Sequence, residues 1–188
     1  MGRFISGVIV GLIVFPLGLM GWFRWGNPPV AVADHPLPFE KQITSVPLHS
    51  RIDREMVKTP PIQPTDDNLI AGAQIYSDNC AECHGLQGRP SGDGTNMFPS
   101  APQLWLKHPH GDVVGVSDDP PGETYWKIAN GIRLSGMPSF DHTLSGNQIW
   151  QVTLLVANAN KPIPLEAKAM VSPPPANPPA PAAPSKQK

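Results

Sequence analysis

Cysteine is nearly absent from the chain: 188 residues contain only Cys80 and Cys83. Two cysteines exclude a four-cysteine structural zinc site, a cysteine-ligated iron–sulfur cluster and a disulfide framework. Charge is also scarce, at 15% of residues. No cluster of lysine and arginine occurs, so a nucleic-acid-binding surface is not expected. What the chain has in excess is proline, with 25 residues against a usual frequency of about 5%. Proline lacks a backbone donor and fixes φ, so it fits poorly inside helices and central strands. The excess lies in two flanks. Residues 27–65 hold eight prolines, residues 161–188 hold nine, and residues 66–160 hold seven. This pattern excludes a two-domain enzyme and predicts one small domain, 66–160, with a proline-rich segment on each side.

Charge follows the same division. Residues 66–160 carry ten acids and four bases, a net charge of −6, while the last 28 residues carry four lysines and one glutamate, a net +3. An acidic domain points to partners with a basic docking patch.

Phe4–Phe23 is a run of 20 residues without a charge, bounded by Arg3 and Arg24. A helix of that length spans about 30 Å, the thickness of a bilayer's hydrocarbon core. Trp22, Phe23 and Trp25 stand at its distal end, where aromatic side chains favour the membrane interface. The competing reading is a cleaved signal peptide, with Ala31-Val32-Ala33 as the cleavage site. The run is longer than a usual signal core and ends well before that site, which favours a transmembrane anchor over residues 1–26.

Cys80-Ala81-Glu82-Cys83-His84 is C-x-x-C-H, the attachment signature of c-type haem. Cysteines three apart on a helical turn share a face, so both sulfurs reach the vinyl groups of one porphyrin, and the next residue turns its imidazole to the iron. Zinc would need a second ligand pair, and a thioredoxin-like pair would follow a strand. The run before the motif reads instead as a helix. Thr65 or Asp66 caps it, and Leu69, Ala73, Tyr76 and Cys80 share one face.

Gly72-x3-Tyr76-x3-Cys80 resembles the first helix of class I cytochromes c. The resemblance extends over about 66–160. It implies an all-α fold, the small class I cytochrome c helical fold around one covalently bound haem c. Here that fold would follow an N-terminal transmembrane helix and be flanked by proline-rich segments, as in membrane-anchored monohaem cytochromes c. In that family the glycine permits close crossing by the C-terminal helix, and an aromatic at the position of Tyr76 packs behind the haem. Asn130–Phe140 resembles the distal methionine loop, which implies His84 and Met137 as axial ligands of the iron. Met97 is expected in the wall of the haem pocket. His108, His110 and His142 are rival ligands whose plainer place is a solvated loop. Pro102-x-Leu104 resembles the segment whose proline carbonyl accepts the proximal histidine Nδ1–H, with Pro99 close enough to leave the register open. Trp126 and Arg133 are candidates for haem-propionate contacts, against core packing and a surface ion pair as their plainer roles.

Other elements are marked by local signals. Ser145-x-x-Gln148 is a capping box opening a helix from about Gly146 to Asn158, with Leu144 and Ile149 as its staple. Trp150 is expected to pack on the first helix, by resemblance. A further helix is expected from Pro121 to Asn130, with Gly131 just beyond its end. Residues 27–65 are expected to be a linker in polyproline-like form, reaching at most about 120 Å. Ile52 and Met56 could form one turn against the domain. Residues 161–188 are expected to be a disordered tail.

Together these readings imply a one-electron carrier rather than an enzyme, held on the outer, periplasmic face of the inner membrane by a single span, and serving redox protein partners. The alternative is a haem subunit permanently bound to a membrane or periplasmic oxidoreductase complex. A gas sensor or peroxidase with an open iron is the third reading, opposed by the methionine loop.

Overall fold

A computed structural model describes residues 1–109 and 111–174. Among the described residues the fold is all-α, with eight helices, of which α5 (Gly92–Thr95) is a single turn. The only β pairings there are isolated bridges, Leu86 with Arg89 and Lys107 with Val114. The chain divides into two compact units, Met1–Val46 and Pro47–Lys188.

In the first unit, α1 (Gly2–Trp25) is a 24-residue helix with Pro16 inside it and no buried residue. It is long and apolar enough to cross a membrane. α2 (Glu40–Glu55) begins in this unit and ends in the second. It corrects the expectation of an extended linker and of a single turn around Ile52. Sixteen residues are helical despite Pro47, and a helix rises 1.5 Å per residue where polyproline rises about 3.1 Å. Ile52, 1% exposed, explains the ordering of the helix end: it buries its side chain in the second unit.

The core of the second unit is built from α3 (Asp66–Asn79), α7 (Gly146–Ala157) and α8 (Leu165–Val171). Thr65 caps α3 by accepting the Asn68 N–H, as expected. Leu69, Ala73, Ile75 and Tyr76 form its buried side and meet Ile149, Val152, Leu155 and Val156 of α7. The crossing depends on Gly72. A Cβ there would overlap the Gln151 carbonyl and come within 3.2 Å of Leu155 Cβ. Alongside, the Gln151 amide donates to Asn68 Oδ1 at 3.1 Å. The capping box of α7 is present in both directions, and Leu144 and Ile149 both pack in the core cluster.

α6 (Pro121–Asn130) carries proline at its start and ends at Gly131 with φ +67°, as the sequence signals predict. It contributes Ile128 to the core. Trp150 is buried, and its ring stacks on Tyr125 of α6 at 4.3 Å.

The segment after residue 160 is also corrected. Its first part folds as α8, with Ala167 and Val171 fully buried against the core. Val171 O accepts the Gln87 N–H at 2.9 Å, which fastens the helix end to the loop after His84. Residues 175–188 of the expected tail lie outside the described residues.

Candidate functional site

The last turn of α3 leads directly into α4 (Ala81–His84), with Cys80 capping one and opening the other. His84 N and Cys83 N both point back to Cys80 O, at 2.9 and 3.2 Å. The two thiols and the imidazole therefore sit on one continuous helical turn. Both thiols are free and half-buried. Burial first, then the nearby Cys83, pushes the Cys80 thiol up to about 12.

His84 Nδ1 lies 2.7 Å from Pro102 O. A carbonyl can only accept, so Nδ1 carries the proton and the lone pair is left on Nε2. Burial holds the His84 imidazole below its ordinary pKa, and the Pro102 contact opposes this only in part. The ring is thus neutral, with its tautomer fixed by the backbone. The acceptor is Pro102 rather than Pro99, which settles the register of this contact.

A second set of bonds clamps the turn, with no sign of it in any sequence motif. Gln103 Nε2 donates to Cys83 O at 3.1 Å, while Gln103 Oε1 accepts the Ser91 N–H at 2.6 Å. Ser91 Oγ also bonds Glu82 O, and Leu104 N donates to His84 O at 3.1 Å. Gln103 fills the variable position of Pro-x-Leu, and no motif marks a side chain that folds back on its own loop. Tyr76 lies fully buried behind the turn, and its hydroxyl donates to Gly85 O at 2.7 Å. Burial raises the Tyr76 pKa. Trp105, 6% exposed, packs edge to face on Tyr76 at 5.7 Å. Sequence reasoning passed over it.

Met137 sits on the loop that leaves α6. Ile132 N donates to Met137 O at 3.2 Å, and Met137 N donates to Ser135 Oγ at 3.2 Å. The positive φ of Gly131 starts the loop, and a Cβ there would stand 2.9 Å from Met137 O. Met137 is half-buried and packs on the same core cluster as Cys80. The half-buried Met97 reaches this loop, its sulfur 3.6 Å from where a Cβ of Gly136 would stand.

Other sequence candidates fall elsewhere. Trp126 gives its single donor to Glu55 Oε2 at 2.9 Å, so that N–H is already engaged within the protein. Arg133 is exposed. His108 and His142 are exposed, the latter 3.4 Å from Asp141, and His110 lies outside the described residues.

The second unit is similar to a cytochrome-c-related family over part of its length. Residues 67–155 match the family described as cytochrome c oxidase, cbb3-type, subunit III. That stretch runs from α3 into α7 and leaves out α1, α2 and α8. Solved structures that match include a chain of the Kuenenia stuttgartiensis reducing HAO-like protein complex, at 20% identity and a TM-score of 0.40. The match covers 74% of this chain and 54% of that one, a likeness too loose to bear on function. Comparison with curated proteins found no match.

Proposed function

We propose that the chain is a haem-carrying electron-transfer subunit of a membrane-bound redox complex. The reading is carried by one observation: a C-x-x-C-H turn whose histidine has Nδ1 held by a backbone carbonyl at 2.7 Å. The residues present fit a c-type haem. Two free thiols three positions apart suit two thioether bonds, and a neutral imidazole with a fixed tautomer suits an axial position. The soft thioether of Met137 would suit the role of a second donor to the iron. Bound haem would supply a ferric–ferrous couple.

Cys80 and Cys83 would hold the group, His84 would present Nε2, and Met137 would close the sixth position. Pro102 fixes the direction of the His84 ring. Gln103, Ser91 and Leu104 hold the turn rigid, so the donors need no rearrangement when the charge on the site changes by one. Tyr76 and Trp105 exclude water behind the turn. With His84 and Met137 both engaged in holding the group, no position would remain for a substrate, and the chain would act as a carrier within an assembly rather than as a catalyst. Trp126 is given no propionate contact in this reading, since Glu55 takes its donor.

The subunit role is favoured over a free carrier by the family match, whose description is that of an oxidase subunit. α1 would anchor the chain in the inner membrane, with the helical unit on the periplasmic side where c-type haem is attached. Purification in mild detergent tests this. The proposal expects covalent haem and co-purification with redox subunits at fixed stoichiometry. A haem-bearing chain that elutes alone at every detergent concentration would favour the free carrier.

A further inference from the structure

α6 is gripped at both ends, by two segments far apart in sequence. At its N-terminal half stands the segment 51–57. Ile52 is 1% exposed. Glu55 Oε2 accepts the Trp126 indole N–H at 2.9 Å, and Glu55 Oε1 pairs with Arg51 Nε at 2.9 Å. The Arg51 guanidinium lies over the Trp126 ring, 5.5 Å from its centroid. Backbone meets backbone at Gly122, where a Cβ would overlap Val57 O. Bonds from Arg51 and then Trp126 hold the Glu55 carboxyl below its usual range.

At the C-terminal end stands the Met137 loop. Phe140 N donates to Ile128 O at 3.1 Å, and Ser139 Oγ donates to Ala129 O at 2.8 Å. Ile132 N, just past the helix, donates to Met137 O at 3.2 Å. From Gly122 to Asn130 the helix rises about 12 Å. A helix of ten residues is marginal by itself, so its place is set by what it packs against.

We infer that residues 51–57 are a clasp that positions the Met137 loop through α6, with Glu55 and Ile52 as positioning residues. The consequence for iron ligation rests on the reading of Met137 as an axial ligand. Loosening the clasp removes half of the packing that sets the place of α6, and that freedom reaches the carbonyls at its other end that hold the loop. The segment leading from the N-terminal helix would thereby bear on the distal ligand without touching it.

The test uses the full chain in detergent and two variants. Glu55→Ala removes the acceptor and keeps the backbone contact, and Gly122→Ala forces the backbones apart. In both, amide exchange at residues 139–141 is expected to quicken by about tenfold or more. The pH at which the near-red thioether–ferric band disappears is expected to fall. Faster exchange confined to residues 51–57 and 121–126 in a folded Glu55→Ala protein would overturn the clasp. Lack of the near-red band in the unsubstituted chain would instead overturn Met137 as ligand, and the exchange pattern judges the clasp without it.

Discussion

His84 shows how much one hydrogen bond decides. With Nδ1 bound to Pro102 O, the imidazole has one free lone pair and one orientation. The acceptor is a backbone carbonyl, so Pro102→Ala is expected to keep the bond and shift the loop only slightly. Gln103→Ala removes both the donor to Cys83 O and the acceptor for Ser91 N. It is expected to cost about 1–3 kcal/mol, the range for buried groups left unpaired, seen as a lower midpoint in urea. An unchanged midpoint would show that water replaces Gln103 without loss.

Asp119 offers a pH test away from the site. Burial raises its pKa more than Lys127, 3.7 Å away, lowers it. A carboxyl with a folded pKa above its unfolded value weakens folding at pH values above both and has no such effect below both. Asp119→Asn is therefore expected to raise the melting temperature slightly near pH 7, by less than about 1 kcal/mol in stability. That gain is expected to vanish below the ordinary carboxylate range. A loss near pH 7 would mean that the ion pair with Lys127 outweighs the burial of the charge. At this scale the sequence showed Cys80, Cys83 and His84 plainly, because their spacing is itself the chemistry. Gln103 and Trp105 were illegible, because nothing in a local pattern says that a side chain folds back or fills the space behind a turn.

Among the elements, those with strong local signals stand where the sequence places them. The cap at Thr65, the capping box at Ser145 and the Pro121 to Gly131 frame are all present. α2 and α8 were hidden by the prolines around them. α8 is seven residues long and is ordered by Ala167 and Val171 meeting the core, a tertiary effect that composition cannot show. The crossing of α3 and α7 gives the sharpest element-scale test. Gly72→Ala would drive a methyl into the Gln151 carbonyl, which belongs to a helix backbone and cannot swing aside. A loss of about 1–3 kcal/mol is expected, as for overpacked cores, measured by thermal unfolding. Stability equal to the parent would mean that the two helices can separate freely at this point.

For the whole molecule, the abundance of proline specified less than it suggested. It marks where the flanks begin, yet part of each flank is helical and packs in the second unit: Ile52 before the domain, Ala167 and Val171 after it. Ending the chain at residue 160 is thus expected to lower the melting temperature by exposing the core side that α8 covers. Residues 66–160 carry a net charge of −6, so electron transfer to a basic partner is expected to slow as salt rises. A rate independent of ionic strength would remove charge from the account of docking.

The turn at Cys80 to His84 is expected to bind haem covalently. Denaturing the protein isolated from membranes, then measuring its intact mass and its haem content, tests this most directly. One haem per chain is expected to stay with the unfolded polypeptide and to be lost from that covalent form when Cys80 and Cys83 are both changed to serine. A haem-free chain, or haem that leaves on unfolding, would contradict it.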